Sequence, residues 1–326
     1  GLEVKTDKAG EGFGSNGFNV CAYLPGTIPG EPTIMCAHMD TVTPGNGIKP
    51  LIDDGIIHTD GSTILSGDDK SGIAAIMEAV KVIKEQNLPC RNTEILFTIG
   101  EEGGMNGVKN MDLSMIKGKE AMVFDASGDV GKILTCGPGQ IKIFATIIGR
   151  SSHAGLAPEE GISAIQVAAK GIAKMNLLRI DEETTCNIGT LKAEYATNIV
   201  PEKAEFGAEV RSRNLDKLNA QAAHRQKCLQ DACDEMGAKL EIELKTNYVS
   251  FNVANDDPMV QRVFESCKRI GCEPMTAKGG GGSDANVMAL HGIKPIVLST
   301  GMTKVHTTGE TLKIENLNKC AELVLD

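Results

Sequence analysis

Glu101 and Glu102 are adjacent carboxylates that follow an apolar run, residues 95–99, closed by Gly100. A continuous apolar run of this length reads as a buried parallel strand. Ligands of open α/β sheets bind beyond the carboxyl ends of such strands. Neighbouring acids there point in different directions, so one could bind a metal ion while the other handles protons. The plain alternative is a solvated Glu-Glu turn. A second short run, residues 33–37, ends in His38-Met39-Asp40. Alternation along an extended segment puts His38 and Asp40 on one side. Asp40 is then placed to fix the ring of a metal-binding histidine; otherwise His38 is a structural histidine.

Asp68 and Asp69 open a stretch in which Ile73, Ile76, Met77, Val80 and Ile83 recur at helical spacing before Pro89. They can serve as an N-cap and a first-turn acid. Alternatively, one carboxylate turns back over the sheet end and bridges two cations; the spacing admits both. Residues 121–125 form a third apolar run, ending in Asp125, and residues 295–300 a fourth, leading to His306. Several element ends thus carry His, Asp or Glu without a competing cysteine, and doubly wound topology gathers such ends on one edge. Histidine with carboxylate suits Zn²⁺ or Mn²⁺ better than a thiolate site does.

The elements that must hold these residues suggest two domains in 326 residues. Residues 18–24 and 33–37 read as strands split by a turn at residues 25–32. From residue 138 the pattern changes. Ile141, Ile143, Ala145 and Ile147 alternate as in a half-buried strand, and Ile162, Ile165, Ala169 and Ile172 form a helical stripe within residues 160–177. Strands near 185–191 and 204–211, a helix near 215–236 and a strand near 239–248 complete a β-α-β-β-α-β unit of ferredoxin-like order. This α+β unit, residues 138–250, interrupts an α/β domain with a doubly wound mixed sheet made of residues 1–137 and 251–326. Residues 279–282 are four glycines between Lys278 and Ser283-Asp284. They lack phosphate-loop order and can either present N–H groups to an anion such as a substrate carboxylate or form a flexible turn.

Lys+Arg 33 against Asp+Glu 43 gives a net charge of −10, which argues against nucleic acid or an anionic membrane as partner. Tryptophan is absent and aromatics are 3%, so base-stacking platforms are not expected either. The ten cysteines are scattered without a CxxC pair and read as reduced thiols of a cytoplasmic protein. No apolar run reaches the length of a membrane span, and no charged-then-apolar leader follows Gly1, so no signal peptide is expected.

Taken together, His38-Met-Asp40-Thr, Gly67-Asp-Asp-Lys70, Glu101-Glu102-Gly, Phe124-Asp125, Ser152-His153-Ala-Gly155, residues 196–201 with Glu209-Val-Arg211, and the Ser283-Asp284 loop followed by His306 resemble the peptidase T family. These tripeptide aminopeptidases belong to a larger di-zinc clan of aminoacylases, carboxypeptidases and dipeptidases. The resemblance spans nearly the whole chain, in order. It implies a zinc-peptidase catalytic domain with an inserted lid and dimerisation domain, hence a homodimer acting on short peptides. It further implies one zinc held by His38, Asp68 and Asp125 and another by Asp68, Glu102 and His306, with Mn²⁺ or Co²⁺ as substitutes. Asp40 would clamp His38 and Glu101 would be the general base. His153 would steady the oxyanion, including from a partner's lid, while Asn198 and Arg211 would contact substrate. The stretch from Gly301 to Glu310 differs from the enterobacterial pattern and is similar to a Bacillus- or Clostridium-type branch. A carboxypeptidase, dipeptidase or N-acyl amino acid hydrolase of the same clan is the alternative. A non-catalytic peptide-binding descendant would be expected to lack Glu101 or a ligand, and none is missing.

Overall fold

The strand Arg91–Thr98 pairs antiparallel with Val20–Leu24 on one side and parallel with Ile28–His38 on the other. Ile28–His38 pairs in parallel with Glu120–Ala126, and that strand in parallel with Lys294–Ser299. These four parallel neighbours are the centre of a nine-stranded mixed sheet. The computed structural model describes residues Gly1–Asp326. Ala37, Ile95, Phe124, Ile296 and Leu298 share a core with Ile76, Val263 and Leu323, which come from the helices Gly67–Gln86, Pro258–Arg269 and Ile314–Leu325. The alternate residues Cys36, Leu96 and Val123 are buried as well. Both faces are therefore covered, which is why these strands read as continuous apolar runs.

Because the four strands run the same way, their carboxyl ends lie along one edge of the sheet. There the chain delivers His38, the turn after Thr98 and Asp125. His306 comes from the loop between Met302–Thr303 and Thr311–Lys313, two strands of a separate four-stranded sheet. One boundary differs from expectation. The second strand begins at Ile28, with its register broken between Ile28 and Thr33, because Pro29 and Pro32 have no N–H for a ladder and are tolerated at such an irregularity.

The contacts divide the chain into two units, Gly1–Gly137 with Phe251–Asp326, and Pro138–Ser250. The second unit is a five-stranded antiparallel sheet. Thr184–Lys192, Lys203–Ser212, Gly139–Ile148 and Lys239–Tyr248 lie side by side in that order, and the two-residue strand Leu178–Arg179 extends one edge. The helices Ala164–Ala173 and Leu215–Met236 pack with it around Ile143, Ile147, Val210 and Leu229. The first helix is shorter than its apolar stripe suggests, since Ser163 caps it by accepting from the Gln166 N–H. Its buried face is Ala164, Val167, Ala168 and Gly171, while Ile165 is exposed. Small residues win that face because the second helix comes close: a Cβ on Gly171 would sit 3.2 Å from the Cys228 carbonyl oxygen.

The turn that carries the paired glutamates is equally tight. Gly100 has φ +62 and lies against the Phe13 ring, a conformation that favours glycine. The Gly107 N–H donates to the Ile99 carbonyl at 2.8 Å, and a Cβ on Gly107 would lie 2.0 Å from that oxygen. Gly107→Ala should therefore lower unfolding free energy by about 1–3 kcal/mol, as overpacking does. Gly280→Ala, with nothing near its Cβ position, should change it by less than about 0.5 kcal/mol. Denaturant melts of the two variants compare them directly.

Candidate metal centre

His38 is the last residue of its strand and is almost fully buried, 2% exposed. Its Nε2 lies 3.0 Å from Asp68 Oδ1 and 3.7 Å from Asp125 Oδ1. The other oxygen of Asp68, Oδ2, is 3.2 Å from His306 Nε2, which is 3.0 Å from Glu102 Oε1. Two triads result, His38-Asp68-Asp125 and Asp68-Glu102-His306, with ligand atoms mutually within 4.8 Å in each. Asp68 belongs to both and turns one carboxylate oxygen to each histidine.

The two acids of the Asp68-Asp69 pair are used differently. Asp69 Oδ1 accepts from the Gly72 N–H at 3.3 Å, a capping bond, and its Oδ2 accepts from the His38 N–H at 3.1 Å. Asp68 is free of that duty and faces the histidines. Asp40 was expected to hold the His38 ring through its carboxylate. Its backbone carbonyl makes the shorter contact, 3.1 Å from Nδ1, against 3.6 Å for Oδ1. The Asp40 carboxylate instead accepts the Glu101 and Glu102 N–H groups, each at 3.1 Å. It therefore fixes the glutamate turn relative to the histidine strand.

Negative charge is crowded here. Burial, then the Asp284 carboxylate, pushes Glu101 up to about 9. Burial, reinforced by Asp68, raises Glu102. Asp69 and Asp125 are held well above the usual carboxylate range by burial, with neighbouring acids adding to it. Burial alone would depress His38, but its hydrogen bond to Asp68 and the charges of Asp125 and Asp69 outweigh this and carry it to about 12. A divalent cation would relieve such crowding. The donors also fit one geometrically. Glu102 Oε1 is buried without a hydrogen-bond partner, although His306 Nε2 is 3.0 Å away. Ring nitrogen and oxygen are thus close but not aligned as donor and acceptor, as when both face a common third point.

Three expected site residues lie in the other unit. His153 is exposed, and its Nδ1 accepts from the Gly155 N–H at 3.1 Å. In the neutral ring this leaves Nε2 to carry the proton and donate. The Asn198 carbonyl accepts from the Ala154 N–H at 2.9 Å, so these two loops are tied together. Arg211 is engaged by Glu209, Nε to Oε1 at 2.8 Å and Nη2 to Oε2 at 3.1 Å. Asp284 had no role assigned from the sequence. It is buried, accepts from Thr98 Oγ1 at 2.5 Å, and is pushed up to about 6, chiefly by burial. Only its place in the Ser283-Asp284 motif hinted at involvement.

Residues 34–326 match the peptidase family M20/M25/M40. The chain belongs to that family. It is 42% identical over 325 residues to the uncharacterized protein YqjE of Bacillus subtilis (strain 168), covering 100% of this chain and 88% of that one. Its structure is similar to aminopeptidase PepT from Bacillus cereus ATCC 10987, with a TM-score of 0.92 and 44% identity over 99% of this chain and 87% of the other. It is similar also to a tripeptidase from Staphylococcus aureus subsp. aureus Mu50, with a TM-score of 0.94 and 37% identity over 100% and 87%. The fold is thus the mixed α/β fold of M20 peptidases, and the chain is a metal-dependent exopeptidase of this family.

Without metal, the folded M20 site holds more protons than the unfolded chain does across neutral pH. Glu101 titrates near 9 instead of 4.5, and His38 near 12 instead of 6.5. Stability must then fall as pH rises from about 5 to 9. Acids held low, such as Glu120 beside Arg262 (where the hydrogen bond outweighs burial), titrate below this window. Melting temperatures of chelator-treated protein should fall steadily from pH 5 to 9, and a rise would contradict this charge balance.

Proposed function

We propose that this chain is a di-zinc aminopeptidase releasing the N-terminal residue of short peptides, tripeptides foremost. The observation that carries the proposal is the shared carboxylate of Asp68, one oxygen toward His38 and one toward His306, with Glu101 fixed beside the triads through Asp40. His38, Asp68 and Asp125 would hold one ion, and Asp68, Glu102 and His306 the other. Mn²⁺ or Co²⁺ would suit the same donors. Likeness to an aminopeptidase and a tripeptidase supports the choice of substrate.

Bound there, the two ions would polarise the scissile carbonyl and make a water acidic enough to ionise near neutral pH. With the charge of the ions beside it, Glu101 would give up the proton that it holds in their absence; outside both triads, its carboxylate then takes the proton of the attacking water and returns it to the leaving amine. Asp40 keeps that carboxylate in place by holding the backbone on which it rides. His153 Nε2–H is the proposed donor to the oxyanion. Asn198 and Arg211 are proposed substrate contacts, and a substrate carboxylate would compete with Glu209 for the Arg211 fork. No helix is long and apolar enough to cross a membrane, and the ten cysteines are free, which supports a reducing, cytoplasmic setting. A homodimer through the inserted unit rests on the family resemblance.

Glu101→Gln keeps the shape and removes the base. It should retain both ions by elemental analysis while turnover falls about 10²–10⁴-fold; loss of an ion would mean that Glu101 and Glu102 have exchanged roles. A panel of di- and tripeptides with free or blocked ends tests the substrate. A tripeptide with a free α-amine should be cut faster than its N-acetylated form, and preference for N-acetylated amino acids would replace this reading with an acylase.

A further inference from the structure

Glu310 is almost fully buried, 1% exposed, yet stands outside both triads. Its carboxylate accepts three backbone N–H groups. Oε2 takes those of Leu65 at 3.0 Å and Ser66 at 2.8 Å, and Oε1 takes that of Asp68 at 2.8 Å. This segment presents Asp68 to the two histidines. Ser66 within it is left-handed, φ +62, a conformation that a non-glycine residue keeps only when its surroundings impose it.

At its other end Glu310 belongs to the loop of His306. The Glu310 N–H donates to the Thr307 carbonyl at 3.1 Å, and Thr307 Oγ1 donates to the Lys304 carbonyl at 2.7 Å. Lys304 and His306 are themselves left-handed, φ +51 and +63. One side chain therefore joins two loops that local preference would not hold in these shapes. His38 and Asp125 need no such tether, because they sit on strands Ile28–His38 and Glu120–Ala126, paired directly in the sheet.

We propose that Glu310 is a positioning residue that sets His306 against Asp68, and so governs the affinity of the Asp68-Glu102-His306 site without touching the ion. This rests on the two-ion reading above. The chemistry is that of a carboxylate receiving several charge-assisted hydrogen bonds, all from main-chain N–H groups and none from a ligand side chain. An amide in its place offers one oxygen. If that oxygen stays with Leu65 and Ser66, the NH₂ group faces the Asp68 N–H, and the tie between this segment and the His306 loop is loosened, while the Asp68 carboxylate keeps its contact with His38.

Zinc titration of the chelator-treated full chain by calorimetry, beside equilibrium dialysis, tests this without an activity assay. Wild-type protein should bind two zinc ions; fewer would sink the two-ion reading itself. Glu310→Gln should bind the first ion as wild type does and the second roughly 10–100-fold more weakly, the usual effect of disturbing a residue that orients a ligand. His306→Ala and the Glu310→Gln/His306→Ala double variant should bind zinc alike, since Glu310 acts through His306. Two wild-type affinities in Glu310→Gln, even with a lower melting temperature, would make Glu310 a stability residue only and overturn the proposal. Equal weakening of both sites would overturn it too. Should Glu310→Gln fail to fold, Glu310→Asp decides in its place: it keeps the charge but draws the oxygens back by one methylene, and must show the same selective loss.

Discussion

Buried negative charge at the ends of four parallel strands is the constraint to which the rest of the first unit answers. Asp68, Asp69 and Asp284 are each less than a tenth exposed, and Glu101, Glu102 and Asp125 stand among them. Carboxylates are not left in such a place without compensation. The chain supplies it in three forms: two histidines, a set of backbone N–H groups, and protons retained by raised affinity. The first two have geometry and define where an ion would sit. The third has none, and a cation can displace it.

The backbone donors show how the site keeps its shape. Asp40 accepts from Glu101 and Glu102, Asp69 from His38 and Gly72, and Glu310 from Leu65, Ser66 and Asp68. Each of these acids spends its charge on the main chain of a neighbouring loop. The ligand side chains are thereby left to face one another, while the loops that carry them are held from behind. The parallel sheet fixes the coarse spacing, and these acids fix the remainder.

Much of this was legible in the sequence wherever burial leaves a periodic trace. The apolar runs before Glu101 and Asp125 announced central strands, and the helix at 215–236 and the strand at 239–248 stand where periodicity places them. The triad residues could be named because His and acids at strand ends are few and a family pattern covers them. What escaped reading acts through main-chain atoms. A carboxylate that binds N–H groups, as Glu310 does, looks in sequence like any acid in a polar turn. Asp40 kept its place but not its partner, because reach along a bend is not given by alternation. The helix at 164–173 hid its buried face behind more conspicuous isoleucines, since closeness to another helix favours Ala and Gly over bulk.

The inserted unit has its two ends already joined. In the first unit Gly137 pairs with Phe251 across an antiparallel bridge, and in the second Gln140 pairs with Tyr248 in the same way. To the first unit the whole insert is therefore topologically a hairpin loop, whose closure cost grows only with the logarithm of its length. To the second unit its own termini form neighbouring rungs of one ladder. Such an arrangement lets a gene gain, lose or exchange the middle segment as a cassette, with a short turn sufficing to reseal either partner.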